Sequence, residues 1–145
     1  MAAGPSSPDR LGRMPLAHPL ADLAAEDFVL LTTFRKDGRS VPTPVWMAGL
    51  GDALAVSTPE GTGKLKRLRH TPRVTLQACS RRGQPKPEAL VIEAVAAVHR
   101  DEETRSRVES ALLAKYGWQW RLALVAERVI RRRRSAPRPT IVITS

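Results

Sequence analysis

The sequence predicts a mainly β protein, an antiparallel barrel or sandwich of about six short strands, with two helices inserted late in the chain. Segments rich in β-branched and aromatic residues, such as 28–34 (FVLLTTF), alternate with turn signals up to residue 99. The turn at 35–38 (RKDG) contains Asp-Gly, which is typical of a tight hairpin. Beyond it, two later segments place apolar residues at helical spacing. Closely spaced strands joined by hairpins favour an antiparallel sheet, and closing that sheet into a barrel removes its exposed edges.

Turn residues and hydrophobic periodicity set the predicted boundaries. The predicted strands are 28–34, 40–47, 53–56, 73–78, 89–99 and 140–144, and the predicted helices are a short one at 22–27 and longer ones at 101–116 and 119–132. Acidic residues at 101–103 favour a helix start, Gly117 favours its end, and the basic run Arg131–Arg134 suits the C-terminal end of the last helix. Residues 1–20 are rich in proline and lack periodicity. We therefore expect a flexible tail at 1–20 that adds little to the core, followed by one domain at 21–145.

Composition limits the possible partners. The chain has 145 residues, a net charge of +10 and a single cysteine, Cys79. The charge indicates an anionic partner: nucleic acid, acidic lipid or a phosphorylated small molecule. One cysteine excludes an internal disulfide, and the scattered histidines lack ligand spacing, so we expect no metal site. Neither a signal segment nor an apolar run of about eighteen residues is visible, so we expect a cytoplasmic protein without a membrane partner.

The second predicted strand carries two prolines on one side. Pro42 and Pro44 are two residues apart, so the backbone N–H groups they remove would have faced the same direction. Thr43 and Val45 keep their N–H groups on the other side. The strand is either an edge that resists aggregation or a backbone platform left open for a flat heteroaromatic ligand.

A basic segment follows the third strand. Pro59, Gly61 and Gly63 delay regular structure until about Thr62, which is placed to cap a short helix with Lys64 in its first turn. The first turn of a helix presents free N–H groups and the positive end of the dipole, so a lysine there favours a bound phosphate. The glycine spacing does not match a Walker loop. The alternative is a solvated basic helix face, which we prefer for Arg69 and Arg73.

Few other residues of the sequence suggest a catalytic role. No nucleophile elbow or carboxylate pair is visible, so we assign no catalytic residue. Cys79 is expected to be a small buried side chain, and Trp118 and Trp120 are expected to pack in the core or at an interface. An enzyme with so few acids and bases leaves the chemistry to a cofactor.

Two runs carry a resemblance to a known family. FVLLTTFRKDGRSVPTPVWMA and LAVSTPEGTGKLKRLRHTPRVTLQACSRRG are similar to the split β-barrel flavin and deazaflavin oxidoreductases, the pyridoxamine-phosphate-oxidase-like superfamily, and most similar to its F420-dependent branch. The resemblance implies a six-stranded antiparallel split β-barrel that forms a homodimer with cofactor sites at the interface. It implies hydride transfer between reduced F420, a deazaflavin, and an unidentified small unsaturated substrate. FMN is the alternative cofactor.

The resemblance also implies the site residues. The cofactor ring would lie against Thr43, Pro44, Val45 and Trp46, and the phosphate-binding segment would comprise Ser57, Thr58, Thr62, Gly63, Lys64 and Arg67. Pyridoxamine phosphate oxidases usually carry an Arg-Lys pair where this chain has Gly63-Lys64, and this departure argues against that substrate.

Two other functions stay open on the residues alone. The net charge of +10 and the run Arg131–Arg134 suggest nucleic-acid binding, but aromatic residues make up only 4% of the chain and no nucleic-acid motif is visible. Nucleic acid is therefore an improbable partner. The other possibility is a protein that binds the cofactor without catalysis.

Overall fold

The computed structural model describes residues 19–131 and 138–145. The elements, renumbered in chain order, are α1 (Pro19–Leu23), β1 (Val29–Phe34), β2 (Ser40–Val45), β3 (Ala48–Leu50), β4 (Ala53–Ser57), α2 (Gly63–His70), β5 (Arg73–Ala78), β6 (Ile92–His99), α3 (Glu102–Tyr116), α4 (Trp118–Arg131) and β7 (Thr140–Thr144). The predicted tail up to residue 18 and the end of the basic run, Arg132–Arg134, lie outside the described residues. Leu20, which the sequence assigned to the tail, is buried in the main core.

The strands form one antiparallel sheet in the order β2-β1-β5-β6-β7-β4-β3. This confirms the mainly β split-barrel fold, but the predicted six-stranded closed barrel is wrong in detail: the described sheet has seven strands and stays open. The predicted strand at 40–47 ends at Val45 as β2, and a further strand that the sequence did not predict, β3, follows after Trp46 and Met47. The strand β2 pairs with β1, whereas β3 pairs with β4. The two edges of the sheet are therefore joined by only two residues.

Buried and partly exposed residues alternate along the strands, and the buried ones form the main core. In β1, Val29, Leu31 and Thr33 are buried while the residues between them are partly exposed, as expected for a strand with one covered face. The interior strand β7 contributes Ile141 and Ile143, both fully buried. Leu65 of α2 covers one end of this core.

A second core lies between the sheet and the two late helices. Val108 and Leu112 of α3 pack with Ala48 of β3, Ala55 of β4 and Trp120 of α4. The helical periodicity of 101–116 therefore serves burial within the chain. Asp101 caps α3 by accepting a hydrogen bond from the Thr104 N–H at 2.9 Å, as the acidic start of this segment predicts.

The C-terminal turn of α3 holds the link between β2 and β3. The Tyr116 hydroxyl accepts a hydrogen bond from the Met47 N–H at 3.1 Å and lies 2.9 Å from the Asp27 carbonyl oxygen, to which it donates. The Lys115 ammonium donates to the carbonyl oxygens of Met47, at 2.5 Å, and Glu26, at 2.6 Å. Burial raises the pKa of Tyr116 to about 12, so the hydroxyl stays protonated and keeps its donor.

Tyr116→Phe should destabilise the protein by about 1–3 kcal/mol, because the buried Met47 N–H loses its acceptor while the ring packing is retained. Urea denaturation of the variant beside the wild type measures this difference. A loss below about 0.5 kcal/mol, the range of ordinary surface substitutions, would show that Tyr116 does not hold the link.

Candidate functional site

The predicted helix start is present. The helix α2 begins at Gly63, with Thr62 at the N-cap position and Lys64 in its first turn, as the sequence predicts. The expected capping hydrogen bond from the Thr62 side chain is not formed, because its hydroxyl faces the Thr58 hydroxyl instead, with the two oxygens 3.4 Å apart. The first turn of α2 contains no acidic residue. Its N–H groups and dipole therefore remain available to an external anion.

Arg67 folds back over this helix start. An ideal Cβ placed on Gly63 would lie 2.6 Å from Nη1 of Arg67, so only glycine leaves room for the guanidinium there. The Arg67 Nε donates to the hydroxyl of Thr33, a buried residue of β1, at 2.5 Å. Burial, and secondarily the charge of Arg35, lower the pKa of Arg67. The glycine thus leaves space for a guanidinium, held by Thr33, at the start of the helix.

Lys64 lies beside this guanidinium and is half-buried. Burial lowers its pKa, and the nearby charges of Arg67 and Arg138 lower it further. Among the residues that the structure describes, neither Lys64 nor Arg67 forms a salt bridge with a carboxylate. Glu60, four residues before Lys64, pairs instead with Arg100 at 2.8 Å. The cations repel one another at this point, and an anion would relieve the repulsion.

Arg138 joins the site from the end of the chain. Its Nε donates to the Ser57 hydroxyl at 2.8 Å and its Nη2 donates to the Ser57 carbonyl oxygen at 3.1 Å. The pairing of β4 with β7, which sets Ser57 opposite Thr140, creates this contact. Sequence reasoning missed Arg138, because only the register of two strands far apart in the chain brings it to Ser57.

The predicted ring segment lies at the edge of the sheet. Thr43, Pro44 and Val45 belong to β2, which pairs only with β1 in the described sheet, so the proline-based prediction of an edge strand is confirmed. The Arg35 N–H donates to the Arg39 carbonyl oxygen at 2.8 Å. In an antiparallel ladder every second pair of opposite residues is hydrogen-bonded. Counting from the bonded pair of Arg35 and Arg39, Thr43 and Val45 fall at bonded positions, so their N–H groups point towards β1.

This register decides what the open edge offers a ligand. Pro42 and Pro44 fall at the non-bonded positions, so their missing N–H groups cost the ladder nothing. Their carbonyl oxygens face outward, and the N–H groups of Thr43 and Val45 are not available there. The open edge is therefore a row of acceptors, which differs from the platform of N–H donors that the sequence suggested.

Trp46 connects the ring segment to the basic site. Its ring stacks on Tyr116, with centroids 4.6 Å apart and planes inclined by 11°, and it lies 6.2 Å from the ring of Trp120. The Arg138 guanidinium in turn lies 5.6 Å from the centroid of Trp120. The structure thus gathers the predicted residues from Ser57 to Arg67 around the start of α2, places Thr43 to Val45 on the sheet edge, and links the two groups through aromatic side chains.

Other chemical groups in the described part of the chain are sparse. No three His, Cys, Asp or Glu side chains in residues 19–126 and 138–145 group as a metal site. Burial raises the pKa of the Cys79 thiol, and the residue is 1% exposed, so this side chain is a poor nucleophile. None of the described helices is long and apolar enough to cross a membrane.

The sequence itself matches a family model. The model, described as pyridoxamine 5'-phosphate oxidase, matches residues 20–144. The chain belongs to this family. No curated protein sequence matches it.

Solved structures of the same fold bind different molecules according to their names. A conserved hypothetical protein from Mycobacterium tuberculosis aligns with a TM-score of 0.66 and 18% identity, over 91% of this chain and 81% of the other. The haem storage protein HutZ from Vibrio cholerae aligns with a TM-score of 0.60 and 15% identity, over 90% of each chain. An F420-H2-dependent reductase, FDR-A, aligns with a TM-score of 0.54 and 15% identity, over 81% of this chain and 93% of the other. At these identities the likeness shows the split-barrel fold.

Proposed function

We propose that the protein is an F420-dependent oxidoreductase that transfers a hydride between the reduced deazaflavin and a small unsaturated substrate. The proposal rests on the geometry at the start of α2. There Gly63 leaves space for the Arg67 guanidinium beside Lys64, and neither cation has a carboxylate partner among the described residues. Such a site fits the phosphate of the cofactor. The F420-dependent reductase among the structures of the same fold is consistent with the proposal.

The phosphate would be held by side chains from β4, from α2 and from the loop between them. Lys64 and Arg67 supply charge from α2, and Ser57 supplies a hydroxyl that Arg138 already orients. The hydroxyls of Thr58 and Thr62 lie next to the same helix start. Because Arg67 and Ser57 are already held by hydrogen bonds, binding of the anion would have to order fewer side chains.

The ring would lie at the edge formed by Thr43 to Trp46. The outward carbonyl oxygens of Pro42 and Pro44 would be able to accept a hydrogen bond from a ring N–H, and Trp46 would offer an apolar surface. When bound, the deazaflavin supplies the hydride from ring carbon 5. The chain's own contribution is to bind and orient the cofactor and to keep water from the reacting carbon. The Tyr116 hydroxyl is committed to backbone groups, so no catalytic residue is assigned.

Charge favours F420 over FMN. F420 carries a chain of glutamate carboxylates beyond its phosphate, and the protein has a net charge of +10. FMN has one phosphate and no such chain, so it leaves more of this positive charge unbalanced.

The purified protein should bind F420 more tightly than FMN, because the carboxylate tail adds favourable charge interactions. Titration of each cofactor at one fixed salt concentration, followed by fluorescence quenching, compares the two dissociation constants. Equal or tighter binding of FMN would contradict the F420 assignment and leave the fold unaffected. Binding without turnover across a panel of unsaturated compounds would favour a protein that carries the cofactor without catalysis.

Lys64→Ala should weaken cofactor binding by roughly ten- to a hundred-fold, because one charge-assisted contact of about 1.5–3 kcal/mol is lost. Arg67→Ala should weaken binding nearly as much. The matched control is Lys66→Ala, since Lys66 is exposed and two residues along the helix from Lys64.

Dissociation constants and melting temperatures of the three variants separate binding from folding, and the Lys64 effect should shrink as salt rises. A dominant effect of Lys66, or equal losses in all three variants, would instead indicate a diffuse basic surface and favour a nucleic-acid partner.

The protein should form a homodimer with two-fold symmetry, because large apolar side chains remain exposed in the single chain. Trp118 is 70% exposed and Leu122 and Val125 on α4 are 57% and 53% exposed, whereas Trp120 is buried within the chain. Leu90 and Val91, before β6, add a second exposed apolar group. Such surfaces commonly mark interfaces. Sedimentation velocity at micromolar concentration tests this, and a monomer alone would contradict it.

A further inference from the structure

A cavity of about 220 Å³ lies between α2 and the end of β6. It is smaller than the pockets of about 300–1,000 Å³ that hold drug-sized ligands, so it suits a small molecule. Four aliphatic side chains that belong to the main core or pack against it line the cavity: Leu65, Leu68, Ala96 and Val98. Arg69 and Arg100 add two guanidinium groups to the same lining. The cavity therefore combines an apolar wall with positive charge.

This cavity is separate from the start of α2. Lys64 and Arg67, the cations proposed to hold the cofactor phosphate, do not line it. Successive residues of an α-helix are turned by about 100°, so Arg69 lies about 140° around the helix from Lys64 and about 160° from Arg67. The occupant of the cavity is therefore not the phosphate that we assign to Lys64 and Arg67.

We propose that this cavity is a binding site for a small monocarboxylate with a branched aliphatic body. The site goes beyond the proposed function, since it takes its ligand without the cofactor. A guanidinium group matches a carboxylate because its planar array of N–H donors faces both oxygens. The lining carries aliphatic side chains and no aromatic ring, so an aliphatic body packs against it and buries apolar surface.

The charges at the cavity favour an ion with one negative charge. Arg100 donates from Nε and Nη2 to the two carboxylate oxygens of Glu60, at 2.8 Å and 3.2 Å. The hydrogen bond from Arg100 holds the pKa of Glu60 below its ordinary value, and the charge of Arg69 lowers it further. Among the residues that the structure describes, Arg69 forms no salt bridge of its own. Two guanidinium groups and one carboxylate leave one positive charge, and a monocarboxylate balances it.

The end of the ladder between β5 and β6 adds a backbone donor. β5 pairs with β6 from Arg73 onward, and beyond this ladder the Ala96 N–H donates to the Pro72 carbonyl oxygen at 2.8 Å. N–H groups point alternately to the two sides of a strand, and the register with β7 is unbroken here, so the Val98 N–H points the same way as that of Ala96. Two residues before Pro72 the chain is already in α2, and no backbone group of the described residues accepts from Val98 on this side. The Val98 N–H is therefore available to a carboxylate oxygen in the cavity.

Titration of the full-length protein without cofactor, with 4-methylpentanoate at one fixed ionic strength, tests the site. Calorimetry gives the dissociation constant, and the NMR signal of the Val98 amide should move more than that of Val95, whose N–H points at β7. The uncharged 4-methylpentanamide should bind at least about ten-fold more weakly, because a charge-assisted contact is lost. Acetate has the charge without the branched body, and it should also bind at least about ten-fold more weakly.

A matched pair of variants on α2 tests the role of Arg69. Arg69→Gln should weaken the binding of 4-methylpentanoate at least about ten-fold. Lys66→Gln removes the same charge from the same helix, but Lys66 does not line the cavity, so binding should stay within about two-fold. Both side chains are exposed, so the melting temperatures should stay near that of the wild type. Saturating F420 or FMN should not displace the probe.

Several outcomes would overturn the proposal. Equal binding of the amide would remove the requirement for a carboxylate, and equal binding of acetate would indicate an adventitious anion that makes no use of the apolar wall. Equal losses in the two variants, or equal movement of the Val95 and Val98 signals, would place the probe elsewhere. Displacement by F420 would assign the cavity to the carboxylates of the cofactor. A failure of F420 binding or of hydride transfer would leave the titrations unchanged, because they are made without the cofactor.

Discussion

The two-residue link at Trp46 and Met47 is the constraint on which the rest of the structure depends. The link joins the two edges of the open sheet, so its backbone lies between β2 and β3 and outside either ladder. The buried polar groups of Met47 are satisfied from outside the sheet, by the hydroxyl of Tyr116 and the ammonium of Lys115. Leaving such groups unpaired would cost about 1–3 kcal/mol each. The C-terminal turn of α3 therefore fixes the position of the split.

The same link sets the geometry of the functional surfaces. Trp46 can stack on Tyr116 only because Tyr116 is held at the backbone of its neighbour, Met47. Trp46 also lies near Trp120, and Trp120 lies beneath the guanidinium of Arg138, which orients Ser57. A continuous series of contacts thus runs from the open edge of β2 to the basic start of α2. A substitution in the link is expected to disturb the proposed ring and phosphate positions together, since both depend on one aromatic cluster.

Local features could be predicted from the sequence, and features that depend on distant pairing could not. Pro42 and Pro44 identify an edge strand because the missing N–H groups are a property of the residues themselves. Gly63 and Lys64 locate the start of α2 for the same kind of reason. By contrast, the end of β2 at Val45 and the separate strand β3 at 48–50 depend on their pairing partners, β1 and β4, which are separate in the chain. The contact of Arg138 with Ser57 depends on the register of β4 and β7, and the Thr62 hydroxyl turns to Thr58 rather than to the helix. The hydrophobic periodicity of the sequence does not reveal these pairings and side-chain contacts.

The positive charge of the chain is balanced unevenly along its surface. Several cations away from the start of α2 have carboxylate partners: Arg105 pairs with Glu102 and Glu109, and Lys86 pairs with Glu26 at 2.7 Å. Within the described residues, Lys64 and Arg67 have none, although burial already lowers the pKa of each. Partly buried cations without counter-ions are costly to the folded protein, and they are retained where a ligand supplies the opposite charge. The net charge of the sequence indicates only that an anionic partner is favoured. The distribution of the ion pairs supports the proposed location, because at the start of α2 two partly buried cations lie close together and have no carboxylate partner among the described residues.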